Sequence, residues 1–184
     1  MTMPLRADAR RNRDAILTAT RRLISAQGPE VPMEAIADGA GVAVGTLYRH
    51  FPTKADLVQA ALGQLVETMV TDLEAVADRV AAGAAALPEL VGLVARVLDG
   101  AAQDRAIKAV AGALGAGYPD ELQDRADAAL NRLIAAARRE RALRDDVTVE
   151  DFYLLLDTAP TDVAPAVLHR WRDLMLAGLT ARDQ

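Results

Sequence analysis

Thr46, Tyr48, Arg49 and His50 bring a hydroxyl, a phenol, a guanidinium and an imidazole into five consecutive residues. Lys54 adds an ammonium group four residues further on. These types at this spacing make no nucleophile–base pair. They suit contact with phosphate oxygens and with the edges of bases in a DNA groove. Leu47 and Phe51 lie between them, four apart, and share one face of a helix on which both can bury.

Two short helices joined by a turn would hold such a set. Ile36, Ala37 and Ala40 give the stretch from Met33 an apolar side, and Gly39-Ala40-Gly41 supplies a sharp turn. A second helix is predicted from about Val44 to Phe51. Pro52 stops it, and Thr53 with Asp56 three residues later makes a capping-box start for the next helix.

The run Gly45-Thr46-Leu47-Tyr48-Arg49-His50-Phe51-Pro52-Thr53-Lys54, preceded by Ala40-Gly41-Val42, resembles the helix-turn-helix of TetR-family transcriptional repressors and their G-T-L-Y-x-H-F-x-x-K core. The likeness covers roughly the first 60 residues. It implies that Tyr48, His50 and Lys54 contact phosphates, while Thr46 and Arg49, beside Gly45, face base edges. Arg49 could pair with a guanine or clamp a phosphate, and the sequence leaves both open. The resemblance also implies that a first helix packs behind the reading helix, with Arg10, Arg11 and Arg13 near the DNA backbone. A dimer would then set two reading helices in successive major grooves, about 34–36 Å apart. Two positions depart from the pattern. Val31-Pro32 stands where a Ser or Thr often precedes the motif, and Ala43 stands where a Ser often precedes the reading helix. Each removes a hydroxyl that could cap a helix or touch a phosphate.

The chain has 184 residues, 52% hydrophobic but only 3% aromatic, so its core must be built from Ala, Leu and Val, which favours helices. It contains no cysteine, which excludes disulfides and thiolate chemistry. The net charge is −5. Residues 1–60 hold eight bases and six acids, a balance of +2, and the remaining 124 hold 13 and 20, a balance of −7. A basic end on an acidic body suits a DNA-binding head joined to a ligand- or partner-binding body. The opening MTMPLRADARRNRD is polar and charged, unlike a signal peptide, and no apolar run approaches the ~18–20 residues of a membrane span. A cytoplasmic protein with no membrane partner is the expectation.

The fold class expected is all-α, with about nine helices. A three-helix head over residues 1–53 would bind DNA, and a helical bundle over 54–184 would bind a ligand and dimerise. Residues 1–7 read as a disordered arm, followed by helices over 8–27, 33–39, 44–51, 53–80, 88–100, 103–114, 120–143, 148–160 and 164–181. Gly115 to Pro119 reads as a loop. The last two helices hold more apolar surface than one face uses: Phe152, Leu155, Leu156, Leu168, Trp171, Leu174 and Met175. A two-fold pairing with a second copy would cover it, and the resembling family dimerises through these helices. The body can leave an apolar pocket for a small effector. Its lining is not fixed by the sequence, though Gln64, Thr68, Arg96, Gln103, Lys108 and Tyr118 are polar groups that could contribute.

Catalysis has little to stand on. The chain has one serine, Ser25, and two histidines, His50 and His169. Leu47 and Ala166 occupy the places three residues before them, where a helical Glu-x-x-His metal site would need Glu. No metal or cofactor is expected. The reading is a ligand-responsive repressor that binds a near-palindromic double-stranded operator as a homodimer. The alternative is a helical adaptor or small-molecule-binding protein that does not touch DNA.

Overall fold

A computed structural model describes residues 3–115, 119–160 and 163–181. Eight helices run through these residues, and no strand is formed among them: α1 (Met3–Gln27), α2 (Met33–Gly39), α3 (Val44–His50), α4 (Lys54–Ala81), α5 (Ala86–Ala113), α6 (Asp120–Arg139), α7 (Val149–Asp157) and α8 (Pro165–Leu179). The all-α class is as expected. The chain divides into two compact units, one of residues 1–66 with 103–119, the other of 67–102 with 120–184. Both α4 and α5 contribute to each unit.

Three boundaries differ from those the sequence suggested. From Met3 the expected arm is helix, because Pro4 falls in the first turn, where its missing N–H breaks no bond. The expected break at Gly100 does not occur. Glycine in a helix interior costs only about 1 kcal/mol relative to alanine, too little to end the helix, and α5 continues to Ala113. The sixth helix stops at Arg139 rather than near Leu143, because Arg141 takes a left-handed conformation at φ 56°. The N–H of Ala142 then reaches back to the Ala137 carbonyl at 2.9 Å. A left-handed cap is normally glycine, which is why the sequence did not announce it. The expected loop at 115–119 lies largely outside the described residues.

In the first unit, Ile16, Leu17, Ile24, Ile36, Leu47, Leu57 and Val58 are fully buried. In the second, Val76, Leu90, Leu98, Leu133, Ile134, Phe152 and Leu176 belong to one core. Charged side chains brace this second core from outside. Arg125 of α6 forks onto Glu74 at 2.7 Å and Glu67 at 3.0 Å, both on α4, and Arg132 pairs with Asp78 at 2.7 Å. On α5, Glu89 pairs with Arg79 at 2.7 Å, and Arg96 with Asp72 at 3.0 Å. The Glu140 carboxylate accepts the Ala86 N–H at 3.0 Å and so places negative charge at the start of α5.

The Arg125 fork holds the Glu74 carboxyl below the usual range, and Arg79 does the same to Glu89. A depressed folded pKa means the contribution is fully present above the unfolded value of about 4.3 and is lost as pH falls through the folded one. Thermal stability should therefore be level from about pH 8 to 5 with respect to these groups and fall below about pH 4. Glu74→Gln should flatten that acid limb. An acid limb identical in the two proteins would remove Glu74 from the account.

Candidate nucleic-acid interface

The first unit builds the helix-turn-helix on close packing of α1, α2 and α3 against one another. Two glycines make the turn possible in different ways. Gly41 has φ 68° and donates to the Asp38 carbonyl at 2.9 Å, while Val42 donates to Ala37 at 3.0 Å, a Schellman closure of α2. Gly39 is helical, but a Cβ there would sit 2.9 Å from Leu23 Cδ1 and 3.1 Å from the Arg22 guanidinium, so it permits α2 to approach α1. Arg22 donates to the Gly39 carbonyl at 3.3 Å.

After Ala43, which offers no side-chain cap, α3 turns Leu47 fully inward, and Phe51 is buried just beyond its end. The capping box is present: Thr53 N–H donates to Asp56 at 3.0 Å, and Asp56 N–H to the Thr53 hydroxyl at 3.1 Å. With Leu47 committed inward, Gly45, Tyr48 and Arg49 are exposed, and Thr46 and His50 are half-buried. Arg49 makes no ion pair among the described residues.

Several predicted DNA-facing groups have partners that the sequence did not reveal. Tyr48 donates its hydroxyl to Glu34 at 3.3 Å, and the Glu34 charge pushes the Tyr48 pKa up, so it stays a phenol donor. The Arg13 guanidinium lies 5.7 Å from the Phe51 ring centroid, within cation–π range. His50 and Phe51 are tilted rings 6.1 Å apart. Arg11 pairs with Asp8 on its own helix, and Arg10 is exposed. The Lys54 ammonium donates to the carbonyls of Pro29 and of Val31, the latter at 2.8 Å. No short-range pattern signals the partners of Tyr48 and Lys54, which lie 14 to 25 residues away in sequence.

In the second unit the expected interface residues divide. Phe152 and Leu155 are buried in the subunit's own core, and Leu156, Leu168 and Trp171 pack partly buried against it. Leu174 and Met175 are 51% and 42% exposed. Leu154 and Val167 are also exposed. Val167, Trp171 and Leu174 fall at spacings of four and three on α8, one stripe of a helix. His169 lies outside this stripe and bonds Asp99 at 3.1 Å.

None of the polar groups suggested for an effector pocket is among the residues that line the cavity between α6 and α7. Arg96 is paired with Asp72, Gln64 bonds Asp14 at 3.3 Å, Thr68 is exposed and Lys108 is half-buried. Tyr118 and the side chain of Gln103 lie outside the described residues. That cavity, of about 340 Å³, is lined by others, including Asp127, Asn131, Ile134, Val147 and Tyr153. Tyr153 donates to Asp127 at 2.5 Å; burial and that carboxylate push its pKa well up. Among the described residues no cluster could hold a metal ion, and no helix is long and apolar enough to cross a membrane.

Comparison with known proteins bears on this surface directly. Residues 16–61 match the family described as bacterial regulatory proteins, tetR family. The HTH-type transcriptional repressor KstR of Mycobacterium tuberculosis is 54% identical over 56 residues, 30% of this chain and 26% of that protein. KstR of Mycolicibacterium smegmatis is 47% identical over 73 residues, 39% of this chain and 34% of that protein. The chain thus matches only about a quarter to a third of the length of these curated relatives. Among solved structures, SCO0520 of Streptomyces coelicolor, a TetR transcriptional regulator, is 29% identical with a TM-score of 0.70, covering 93% of this chain and 99% of its own. A TetR transcription regulatory protein from Mycobacterium vanbaalenii is 32% identical with a TM-score of 0.76 over 97% of this chain and 100% of its own. Similarity sustained end to end, with the motif at its N-terminal part, means that this chain belongs to the TetR family of bacterial transcriptional regulators.

Proposed function

We propose that this protein is a ligand-responsive repressor that binds a near-palindromic operator as a homodimer and is released by a small, largely apolar effector. The family is one of DNA-binding regulators rather than enzymes, and the related KstR proteins are repressors by name. The observation that carries the reading is the outward set on α3. With Leu47 and Phe51 buried, Gly45, Thr46, Tyr48, Arg49 and His50 are the groups left to meet DNA. Residues 1–53 read DNA in this scheme, and 54–184 bind the effector and the second subunit. The effector acts through α4, and it releases the operator only if it binds one spacing of the two heads better than the other.

Selection of bound sites from a random duplex pool tests the head, the two-fold symmetry and the half-site spacing at once. Recovery of inverted half-sites one helical turn apart is expected, and recovery of unselected sequence would defeat the proposal. Arg49→Ala then assigns that side chain. As a base reader it should lose about 1–3 kcal/mol of discrimination at one base pair. As a phosphate clamp it should weaken all sequences alike and lower the log–log salt slope by about 0.9.

A further inference from the structure

A carboxylate stands beside the face proposed to meet a polyanion. Glu34, in the first turn of α2, is exposed, and it accepts the Tyr48 hydroxyl of α3 at 3.3 Å. Among the described residues no cation pairs with it. Tyr48 is itself 41% exposed, so both ends of the bond lie open to an approaching duplex. The first turn of a helix favours a negative side chain, and Pro32 brings no cap of its own, so a carboxylate suits the start of α2 in the free protein.

A phenol has one proton to donate. The Glu34 charge pushes the Tyr48 pKa up, which keeps that proton on the phenol and directs it to the carboxylate. A phosphate oxygen is an acceptor of the same sign. It can take the Tyr48 proton only if Glu34 gives it up, and Glu34 is then left without its donor beside a second negative charge. Two unit charges about 4 Å apart in water repel by an amount worth about fivefold in affinity, and more where water is excluded. We propose that Glu34 competes with DNA for the Tyr48 hydroxyl, so that the free head carries its own phosphate mimic and every duplex has to displace it. This exchange rests on the reading of the head given above, in which Tyr48 meets a phosphate. Phosphates carry no sequence, so the handicap falls on all sites alike and leaves their ranking to the groups that face bases.

Glu34→Ala removes the competitor and, as a change at an exposed position, should hardly move the melting temperature. Its affinity for a random-sequence duplex at low salt should be about tenfold above the parent's, and the gain should shrink as salt screens the repulsion. In a Tyr48→Phe background, where no proton is contested, the same substitution should gain only about twofold. Selection from a random duplex pool should return the parent's site. Unchanged or weaker binding of the random duplex by Glu34→Ala overturns the proposal. So does an equal gain with and without the Tyr48 hydroxyl, which would make Glu34 a bystander charge. A selected site altered at one base pair overturns it too, because Glu34 would then be reading a base, as a carboxylate does at cytosine N4. If the alanine variant does not fold, Glu34→Gln keeps the side chain's size, removes its charge and takes its place with the same expectations. Each of these failures leaves the reading of the head standing, whereas a parent protein that binds no duplex at all removes that reading and the exchange with it.

Discussion

Leu47→Ala is expected to destabilise the first unit by about 2–5 kcal/mol, the range for deleting a well-packed buried leucine, and with it to abolish operator binding. Leu47 is fully buried, and it is the side chain by which α3 is seated against α1 and α2. Its loss leaves a cavity under a seven-residue helix that has no side-chain cap to hold its start. Total stabilities run about 5–15 kcal/mol, so a loss of this size is a large fraction. A thermal melt followed by a gel-shift measures both effects. Retention of wild-type affinity by the variant would mean that α3 is not the reading helix, since a reading helix cannot tolerate loss of its seat.

If the protein dimerises through α8 as proposed, Leu174→Glu combined with Met175→Glu is expected to leave it monomeric and to weaken binding to a two-half-site operator by about 10²–10⁴-fold. That factor is the avidity a second linked site confers without any new contact. Both residues are exposed on α8, so the subunit's own melting temperature should hardly move. Phe152→Ala is the contrasting control. Phe152 is buried in the subunit core, and its truncation should cost about 3–5 kcal/mol of stability. Sedimentation of the doubly substituted protein as a dimer would place the interface elsewhere.

The head was legible in the sequence because its determinants are local. Leu47 and Phe51 four apart, Gly41 in the turn and Thr53 with Asp56 each act within a few residues, and each occupies the role its spacing implied. The partners of the polar groups were not legible. Glu34 with Tyr48, Arg13 over Phe51 and Lys54 with Val31 are contacts made by the packing of three helices, and no periodicity encodes them. On the last two helices, apolar type alone did not separate core from surface. Phe152 and Leu154 are two residues apart and equally apolar in type, yet one is buried and the other exposed. Arg141 was hidden for a different reason, since a left-handed arginine has no signature in the sequence.

The boundary between the two units falls inside helices, at 66/67 in α4 and at 102/103 in α5. One residue inserted at either place shifts the helical phase of the residues that follow in that helix by about 100° and so turns their apolar side away from its core. Insertions or deletions of single residues there should therefore be far more damaging than changes at the turn after Ala81, where Gly83 already breaks the helical run.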